Sequence, residues 1–384
     1  MKKILYLHAG AELYGADIVL LELLKNLDKD KFTPYVILPS EGPLVEKLRG
    51  HNIWVKVMEY PIIRRKIFNI LGLLKYIKDY FIYSSKIKAI VKHEKINIIH
   101  TNTAAVLEGI FIKRMLKIPL IWHIHEIIVK PKIVHKVLSY LIATNSSEVV
   151  TVSEAVKEHL KSTGYFKKNI NVIYNGVDNN VFNKENNTSY INKEFNIPTE
   201  AIVVGMIGRV NAWKGQNDFL GAMDIVLEKH KDVYAMLVGG VFEGEEWRIE
   251  ELKSKIKSMK NKNRVVFDQY RNDSKNIHAL YDIFVLPSTN PDPLPTVVLE
   301  AMASSTPIVG YRHGGICEMV KENYNGLLAE VGNVKDLAEK ISLILNDKNL
   351  RKKFQENSCL RQKENFSLRS YVDKFTNLYD KYEL

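Results

Sequence analysis

Cysteine is almost absent from this chain of 384 residues, which contains only Cys317 and Cys359. Two distant cysteines form neither a disulfide framework nor a metal-ligand spacing, so we expect a reducing compartment. No apolar run approaches the roughly 18 residues that span a bilayer. The first residues, MKKILYLHAGAELYGAD, have a short apolar run and no small-residue cleavage site, which predicts a β-strand rather than a signal peptide. We therefore expect a cytoplasmic protein.

Several nucleotide-binding and nucleic-acid-binding motifs are also missing. Gly10 and Gly15 precede a predicted helix, but the Lys-Ser/Thr ending of a Walker motif does not follow them. Gly-x-Gly-x-x-Gly is absent too, which argues against a dinucleotide oxidoreductase. The net charge of +11 and the isoelectric point near 9.2 favour an anionic partner. We predict that this partner is not nucleic acid, because zinc spacings, recognition-helix patterns and basic–aromatic RNA signatures are lacking.

What the chain does contain is a repeated alternation of strand and helix patterns. One series runs from a strand at 2–9 to a strand at 172–173, and a second runs from 201–207 to 307–310. Such alternation predicts an α/β protein with two Rossmann-like, doubly wound domains, which we place at 1–178 and 200–365. The Asn-rich polar run near 179–199 predicts a linker. The cleft between two such domains is a natural substrate site.

The stretch 283–318 holds two strand patterns on either side of a short helix pattern at 296–303. Pro295 suits a first helical position, since its missing N–H would have no partner there. The next amides, from Thr296 and Val297 onward, are then available to a phosphate at the positive helix end. Asp292 precedes this helix and Glu300 lies within it. We predict a nucleotide site here.

The frame PDPLPTVVLEAMASSTPIV, with Asp292-x7-Glu300, resembles the signature of retaining glycosyltransferases of family 4, which have the GT-B fold. The resemblance extends over nearly the whole chain through YGADIVLLELLKNL, IPLIWHIHE, VTVSEAV, VIYNGVD, MIGRVNAWKGQ and HGGICEMVKENYNGLL. Two positions depart from the family pattern: Asp292 replaces the usual Glu, and Pro295 stands where Gly is usual. In this fold the last helix, here within 366–384, packs back on the first domain.

Arg209 and Lys214 flank the start of a helix in the second domain. Two cations at a helix start suit a diphosphate, and the resemblance implies that they hold the diphosphate of the donor; the alternative is a pair of solvated surface cations. Glu300 lies in an apolar helix and needs a partner. The resemblance makes that partner the ribose hydroxyls, whereas the alternative is a structural pair with a cation such as Arg209.

Asp292 resembles the acid that contacts hydroxyls of the donor sugar, although an N-cap of the following helix is an alternative. His125 and Glu126 match the family's His–acid pair that faces the donor sugar. His123 shares a strand face with His125, but a metal site is weakly indicated because no third ligand has suitable spacing. A hydrogen-bonded structural histidine is the other interpretation of His125.

The remaining candidate ligands of the donor come from loops. Gly15 resembles the loop glycine whose backbone approaches the donor phosphates, and Arg271 stands where the family's loop meets the base. The turn and helix start beside Asp292 complete the predicted donor site, with five residues: Pro293, Leu294, Pro295, Thr296 and Val297. We expect no metal and no cofactor; the donor is a nucleotide-sugar substrate, with UDP favoured over GDP.

The segment 62–95 carries nine Lys or Arg residues against Asp79 and Glu94, with aliphatic and aromatic residues between them. It is either a helix packed on the sheet with a solvated basic face or a surface that lies on anionic lipid.

The resemblance implies a retaining enzyme that builds a surface polysaccharide or a lipid-linked glycan on the inner face of a membrane. The alternatives are a sugar-nucleotide epimerase, a phosphorylase, or a basic protein that binds nucleic acid or lipid.

Overall fold

The computed structural model describes residues 1–64 and 67–382. The chain forms two compact units. Unit 1 comprises Met1–Gly176 and the chain from Leu368 on, and unit 2 comprises Val177–Ser367. Within the described residues, no helix combines the length and the apolar character that crossing a bilayer requires.

Unit 1 contains a parallel sheet with the strand order β3-β2-β1-β4-β5-β6-β7. Its strands are β1 (Lys2–Leu7), β2 (Phe32–Leu38), β3 (Trp54–Val57), β4 (Ile98–Thr101), β5 (Leu120–Ile124), β6 (Glu148–Thr151) and β7 (Asn171–Val172). Its helices are α1 (Gly15–Asn26), α2 (Pro43–Gly50), α3 (Ile70–Glu94), α4 (Glu108–Leu116), α5 (Lys132–Asn145) and α6 (Glu154–Lys161), and the C-terminal helix at Leu368–Asp380 also belongs to it. The central strands are short apolar runs because helices cover both faces of a parallel sheet.

Unit 2 contains a second parallel sheet, with the order β10-β9-β8-β11-β12-β13. Its strands are β8 (Ile202–Ile207), β9 (Val233–Val238), β10 (Val265–Asp268), β11 (Ile283–Leu286), β12 (Ile308–Tyr311) and β13 (Gly326–Ala329). Its helices are α7 (Ser189–Glu194), α8 (Gln216–Lys229), α9 (Trp247–Ser258), α10 (Ser274–Leu280), α11 (Thr296–Ala303), α12 (Ile316–Met319), α13 (Val334–Asn346) and α14 (Lys348–Asn365), after which the C-terminal helix of unit 1 is α15. The two sheets give the α/β class and the two Rossmann-like domains that the alternation predicted.

The predicted linker differs from the sequence-based division, whereas the last helix lies within the range expected for it. Residues 179–199, which we predicted to be a linker, belong to unit 2 and include α7. Ile191 and Ile197 anchor this segment, since their side chains are buried. Helix α15 begins at Leu368 and buries Phe375 and Tyr379 in the core of unit 1. The hydroxyl of Tyr379 lies 2.7 Å from Nδ1 of His100, next to the sheet.

Candidate functional site

Each sheet has one place where the strand order reverses, and in unit 2 Arg209, Lys214 and Asp292 follow the two strands at that place. In unit 2 the reversal lies between β8 and β11, and in unit 1 between β1 and β4. Ligands of open parallel sheets bind outside the carboxyl ends of the strands at such a reversal. Arg209 is the second residue after β8, and Asp292 lies in the loop after β11.

The two loops of unit 2 meet through a close ion pair. Nζ of Lys214 lies 2.8 Å from Oδ1 of Asp292, whose side chain is only 7% exposed. The other carboxylate oxygen of Asp292 accepts a hydrogen bond of 2.6 Å from the hydroxyl of Ser288. The backbone N–H of Thr289 donates to the carbonyl of Trp213 at 2.7 Å, which ties the loops together beside the pair. Lys214 is therefore a cation held in one position, not a freely solvated surface residue.

Glycine is required at two points of this arrangement. Gly215 has φ +84°, and a Cβ there would lie 1.8 Å from the carbonyl oxygen of Pro287. A Cβ on Gly315 would lie 2.0 Å from the carbonyl oxygen of Pro293. The N–H of Gly315 donates to the carbonyl of Asp292 at 2.8 Å. The turn after β12 thus packs against the Pro-rich loop and fixes its path, because bare backbone can approach so closely.

The start of α11 differs from the prediction in one respect. Pro295 is the N-cap residue rather than the first helical residue, and its carbonyl accepts a hydrogen bond of 3.0 Å from the N–H of Val298. Among the hydrogen bonds of the described residues, none is donated by the backbone of Thr296 or Val297. No side chain caps this helix, so the N-cap alternative for Asp292 is wrong. Pro293 and the buried Leu294 form the part of the loop that lies between Asp292 and Pro295.

The partner of Glu300 is a histidine. Its Oε2 lies 3.0 Å from Nε2 of His278, a ring that is fully buried beneath the helix. A structural pair was the alternative role for Glu300, and the structure gives it His278 as partner rather than Arg209. The guanidinium of Arg209 instead lies over the ring of Phe242, with 3.8 Å between its central carbon and the ring centroid. Its backbone carbonyl accepts a hydrogen bond of 2.9 Å from the side chain of Gln216.

Arg271, which we predicted to meet the nucleotide base, is occupied by acidic side chains. Its guanidinium lies within 2.9 Å of carboxylate oxygens of Glu194, Asp268 and Asp273. The same contact lowers the pKa of the Asp273 carboxyl to about 2, chiefly through its hydrogen bond to Arg271. We therefore correct this prediction: Arg271 ties α7 to the loop after β10.

In unit 1 the predicted residues lie in the loops after β1 and β5. Gly15 is the first residue of α1. Burial lowers the pKa of the His125 ring to about 3, so the ring is neutral at physiological pH. Glu126 is half-buried, and desolvation of its carboxyl raises the pKa. That carboxyl accepts hydrogen bonds from the hydroxyl of Thr103 and from the backbone N–H groups of Ala104 and His125. It binds the loop after β4 to the loop after β5.

The sequence analysis missed most of the side chains that surround His125. His8 follows β1, Asn102 follows β4, and both are buried beside His123. The available signal was their position, because each is a polar residue immediately or closely after an apolar strand of the parallel sheet. In residues 1–64 and 67–382, no group of three or more His, Cys, Asp or Glu side chains could hold a metal ion.

Comparison with known proteins identifies the family. Residues 14–181 match the family described as Glycosyltransferase Family 4, and residues 188–361 match Glycosyl transferases group 1. An uncharacterised glycosyltransferase of Methanocaldococcus jannaschii is 30% identical over 291 residues, which are 73% of this chain and 74% of that protein. The chain belongs to the group 1 glycosyltransferases and has the GT-B fold; it is a glycosyltransferase.

Two further proteins align with nearly all of the chain. One is the N,N'-diacetylbacillosaminyl-diphospho-undecaprenol alpha-1,3-N-acetylgalactosaminyltransferase of Campylobacter jejuni, which is 27% identical over 97% of both chains. The other is HepE of Anabaena, whose crystal structure in complex with UDP and glucose has a TM-score of 0.84. That match has 25% sequence identity and covers 99% of this chain and 100% of HepE.

Proposed function

We propose that this protein transfers a sugar, with retention of configuration, from a UDP-sugar to a glycan or lipid-linked acceptor in the synthesis of a cell-surface polysaccharide. The observation that carries the proposal is the cation of Lys214, held 2.8 Å from Asp292 where the loops after β8 and β11 meet. A fixed cation beside the start of α11 suits the diphosphate of a nucleotide-sugar. The UDP bound to HepE and the undecaprenol-linked substrate in the name of the Campylobacter enzyme support the choice of donor and acceptor.

In this proposal, catalysis depends on positive charge that is already in position before the donor binds. When the glycosidic bond to the donor breaks, negative charge develops on the leaving diphosphate. Lys214, Arg209 and the amides at the start of α11 are the groups of unit 2 that would stabilise this charge, and they need no rearrangement to do so. The departing diphosphate takes the proton of the acceptor hydroxyl, which attacks from the same face. In this proposal no metal ion takes part, because the two cations and the helix start already supply positive charge.

A binding screen followed by a turnover assay tests this proposal. UDP and UDP-sugars should raise the unfolding temperature of the protein more than GDP and GDP-sugars, because a ligand that binds only the folded state stabilises it. UDP release from the best donor should then increase when undecaprenyl-diphosphate-linked saccharides are added. Nucleotide release that never depends on an acceptor would favour the epimerase or phosphorylase alternative. Salt-sensitive binding of anions without any nucleotide affinity would favour the basic binding protein.

The structure of α3 bears on where the enzyme works. The first half of this helix exposes a set of large apolar side chains to solvent: Ile70, Leu71, Leu73, Leu74, Ile77, Phe81 and Ile82. Leu71 is 79% exposed, so these side chains are not used in the core of unit 1. Lys75 and Lys78 are exposed among them. An apolar face with interspersed cations is the composition that binds an anionic lipid surface.

We therefore propose peripheral association with the membrane through 62–95. Each Lys or Arg close to an anionic leaflet contributes about 1 kcal/mol at low salt. Two of the nine cations of this segment, Arg65 and Lys66, lie outside the described residues. The variant Lys75→Glu/Lys78→Glu should lose flotation with phosphatidylglycerol vesicles at low salt while UDP binding is unchanged.

The matched control places the same charge change on unit 2, through Lys352→Glu/Lys353→Glu on α14, where both lysines are exposed. This control should float like the unmodified protein. If both variants float equally well, α3 is an ordinary solvated face and the membrane proposal fails. If both lose binding equally, net charge and not α3 is responsible.

A further inference from the structure

A chain of polar side chains crosses the carboxyl edge of the sheet in unit 1, from α1 to His125. Oδ1 of Asp17 lies 2.7 Å from Nε2 of His8. Nδ1 of His8 lies 3.2 Å from the side-chain amide nitrogen of Asn102. Oδ1 of Asn102 in turn lies 3.0 Å from Nδ1 of His123 and 3.0 Å from Nε2 of His125. These contacts form one continuous path, because each polar group in it meets the next.

The direction of the protons along this path follows from its first member. The second oxygen of Asp17 accepts a hydrogen bond of 2.9 Å from the backbone N–H of Tyr14, and an ionised carboxylate has no proton to donate. Nε2 of His8 then carries a proton, and in the neutral ring Nδ1 is an acceptor that lies 3.2 Å from the side-chain nitrogen and 3.3 Å from the backbone carbonyl oxygen of Asn102. Only the NH₂ group of Asn102 can donate to that nitrogen. Its oxygen consequently faces Nδ1 of His123 and Nε2 of His125, which lie 3.2 Å from each other. The oxygen accepts from both rings when each carries its proton on that nitrogen.

The buried environment of His123 supports the same direction. Nε2 of His123 is buried and has no hydrogen-bond partner among the described residues. If His123 carries its proton on Nδ1, Nε2 is an unpaired acceptor. If the proton were on Nε2, that nitrogen would be an unpaired N–H, which is rarer in buried positions. Burial lowers the pKa of His123 and of His125, so both rings are neutral and each has a defined tautomer.

We propose that Asp17 is a positioning residue that holds His125 in the tautomer protonated on Nε2, so that Nδ1 of His125 is presented as a hydrogen-bond acceptor to a hydroxyl of the donor sugar. The proposal rests on the proposed function and on the family resemblance, which implies that His125 faces the donor sugar. His125 is only partly buried, and its Nδ1 has no partner among the hydrogen bonds of the described residues. A sugar hydroxyl can donate to this nitrogen only in the deduced tautomer.

The variant Asp17→Asn tests the path because it should reverse the direction of the hydrogen bonds from position 17 to His125. The backbone N–H of Tyr14 still requires an oxygen, so the new amide must turn its NH₂ group toward His8. Nε2 of His8 then becomes an acceptor and its proton moves to Nδ1. The new Nδ1–H of His8 can donate to the backbone carbonyl of Asn102, 3.3 Å away, but it also meets the NH₂ group of Asn102 at 3.2 Å. Because two donors repel each other, Asn102 turns its oxygen toward His8 and its NH₂ group toward the other two rings. His125 then accepts on Nε2 and carries its proton on Nδ1, which removes the acceptor from the donor sugar.

A second variant restores the original state by exchanging the two groups. In Asp17→Asn/Asn102→Asp, Nδ1–H of His8 donates to the new carboxylate at position 102. That carboxylate has no proton, so it can only accept from His123 and His125. His125 is thereby returned to the tautomer protonated on Nε2. A residue that mattered only for folding would not show this reciprocal rescue.

The experiment uses full-length protein labelled with nitrogen-15 in histidine, since imidazole nitrogen shifts report the tautomer directly. The signal of His125 is recognised by its loss in His125→Gln. We expect proton on Nε2 in the unmodified protein, proton on Nδ1 in Asp17→Asn, and proton on Nε2 again in the double variant. Asp373→Asn, at an exposed carboxylate on α15, should leave these signals unchanged.

Turnover with the donor gives an independent readout. The single variant should reduce kcat/KM roughly ten- to hundred-fold, as expected when a buried hydrogen bond to substrate is lost, and the double variant should regain most of it. A proton on Nδ1 of His125 in the unmodified protein, a doubly protonated His8, or an unchanged His125 in Asp17→Asn would overturn the proposal. The tautomers are measured without a substrate, so failure of the proposed function would appear separately, as absence of turnover in the unmodified enzyme.

Discussion

Replacing Lys214 by methionine separates two consequences of the ion pair in unit 2. The pair joins Lys214 to Asp292 at 2.8 Å, with side chains that are 16% and 7% exposed. Methionine keeps much of the apolar stem but removes the charge. The carboxylate of Asp292 then retains only the hydroxyl of Ser288, 2.6 Å away, in a site that excludes most water.

The expected cost follows from the isolation of that carboxylate. Removing one partner of a buried pair costs about 3–5 kcal/mol, and the residual exposure of Lys214 puts this pair at the lower end. For a domain the size of unit 2, a loss of about 3 kcal/mol lowers the unfolding temperature by roughly 6–12 °C. Turnover should fall independently by about 2–4 kcal/mol of transition-state stabilisation, because a preorganised cation at the leaving diphosphate is gone.

The double variant Lys214→Met/Asp292→Asn distinguishes the two effects. It removes both charges, so thermal unfolding should return to within a few degrees of the unmodified protein, while turnover of the donor stays low. Asp292→Asn alone is the control, and it should reduce transfer while leaving UDP affinity nearly unchanged. A single Lys214→Met variant that is as stable as the unmodified protein would refute the ion-pair argument. Near-normal turnover in that variant would refute the role at the diphosphate.

Three further variants and one treatment have expected outcomes. Glu300→Gln should weaken UDP binding about ten- to hundred-fold in calorimetry, because the carboxylate held by His278 loses its charge-assisted bonds to ribose. Glu108→Gln should raise the unfolding temperature at pH 8 but not at pH 4. Burial raises the pKa of the Glu108 carboxyl from 4.5 to about 8. The native protein therefore loses stability as the pH rises from about 4.5 to about 8, and glutamine removes this loss. Arg271→Ala should lower the unfolding temperature and leave UDP affinity unchanged. Incubation with EDTA should leave transfer unchanged, and a loss that manganese or magnesium restores would contradict the metal-free proposal.

The fold could be predicted wherever local sequence specifies it. The helix predicted at 296–303 has the same bounds in the structure, because a Pro-rich turn fixes its start and apolar residues continue through it. Helix α14 was not predicted, since its exposed surface is mostly charged and only Phe354, Ser358 and Gln362 are buried. Strand β13 was missed because four residues are too few to show a period.

The candidate site could be predicted only as a set of residues, not as contacts. Glu300 and Lys214 were identified by the family frame, but their partners lie far away in the sequence. His278 is 22 residues from Glu300, and no local pattern links the two. The same limit applies to Arg271, whose contact with the nucleotide base was predicted from its position in a loop. Two of its acidic partners, Asp268 and Asp273, lie within three residues of it, but the third, Glu194, belongs to α7 and is 77 residues away.

The shorter acid at position 292 has a consequence for how the site works. Both oxygens of Asp292 already accept within unit 2, one from Lys214 and the other from Ser288. A carboxylate oxygen has two lone-pair directions, so each can accept a further hydrogen bond without releasing its present partner. Asp292 can therefore meet a sugar hydroxyl while it continues to hold Lys214. Because the same carboxylate fixes the cation, a change of the acid that moved its oxygens would also displace Lys214 from the position proposed for binding the diphosphate.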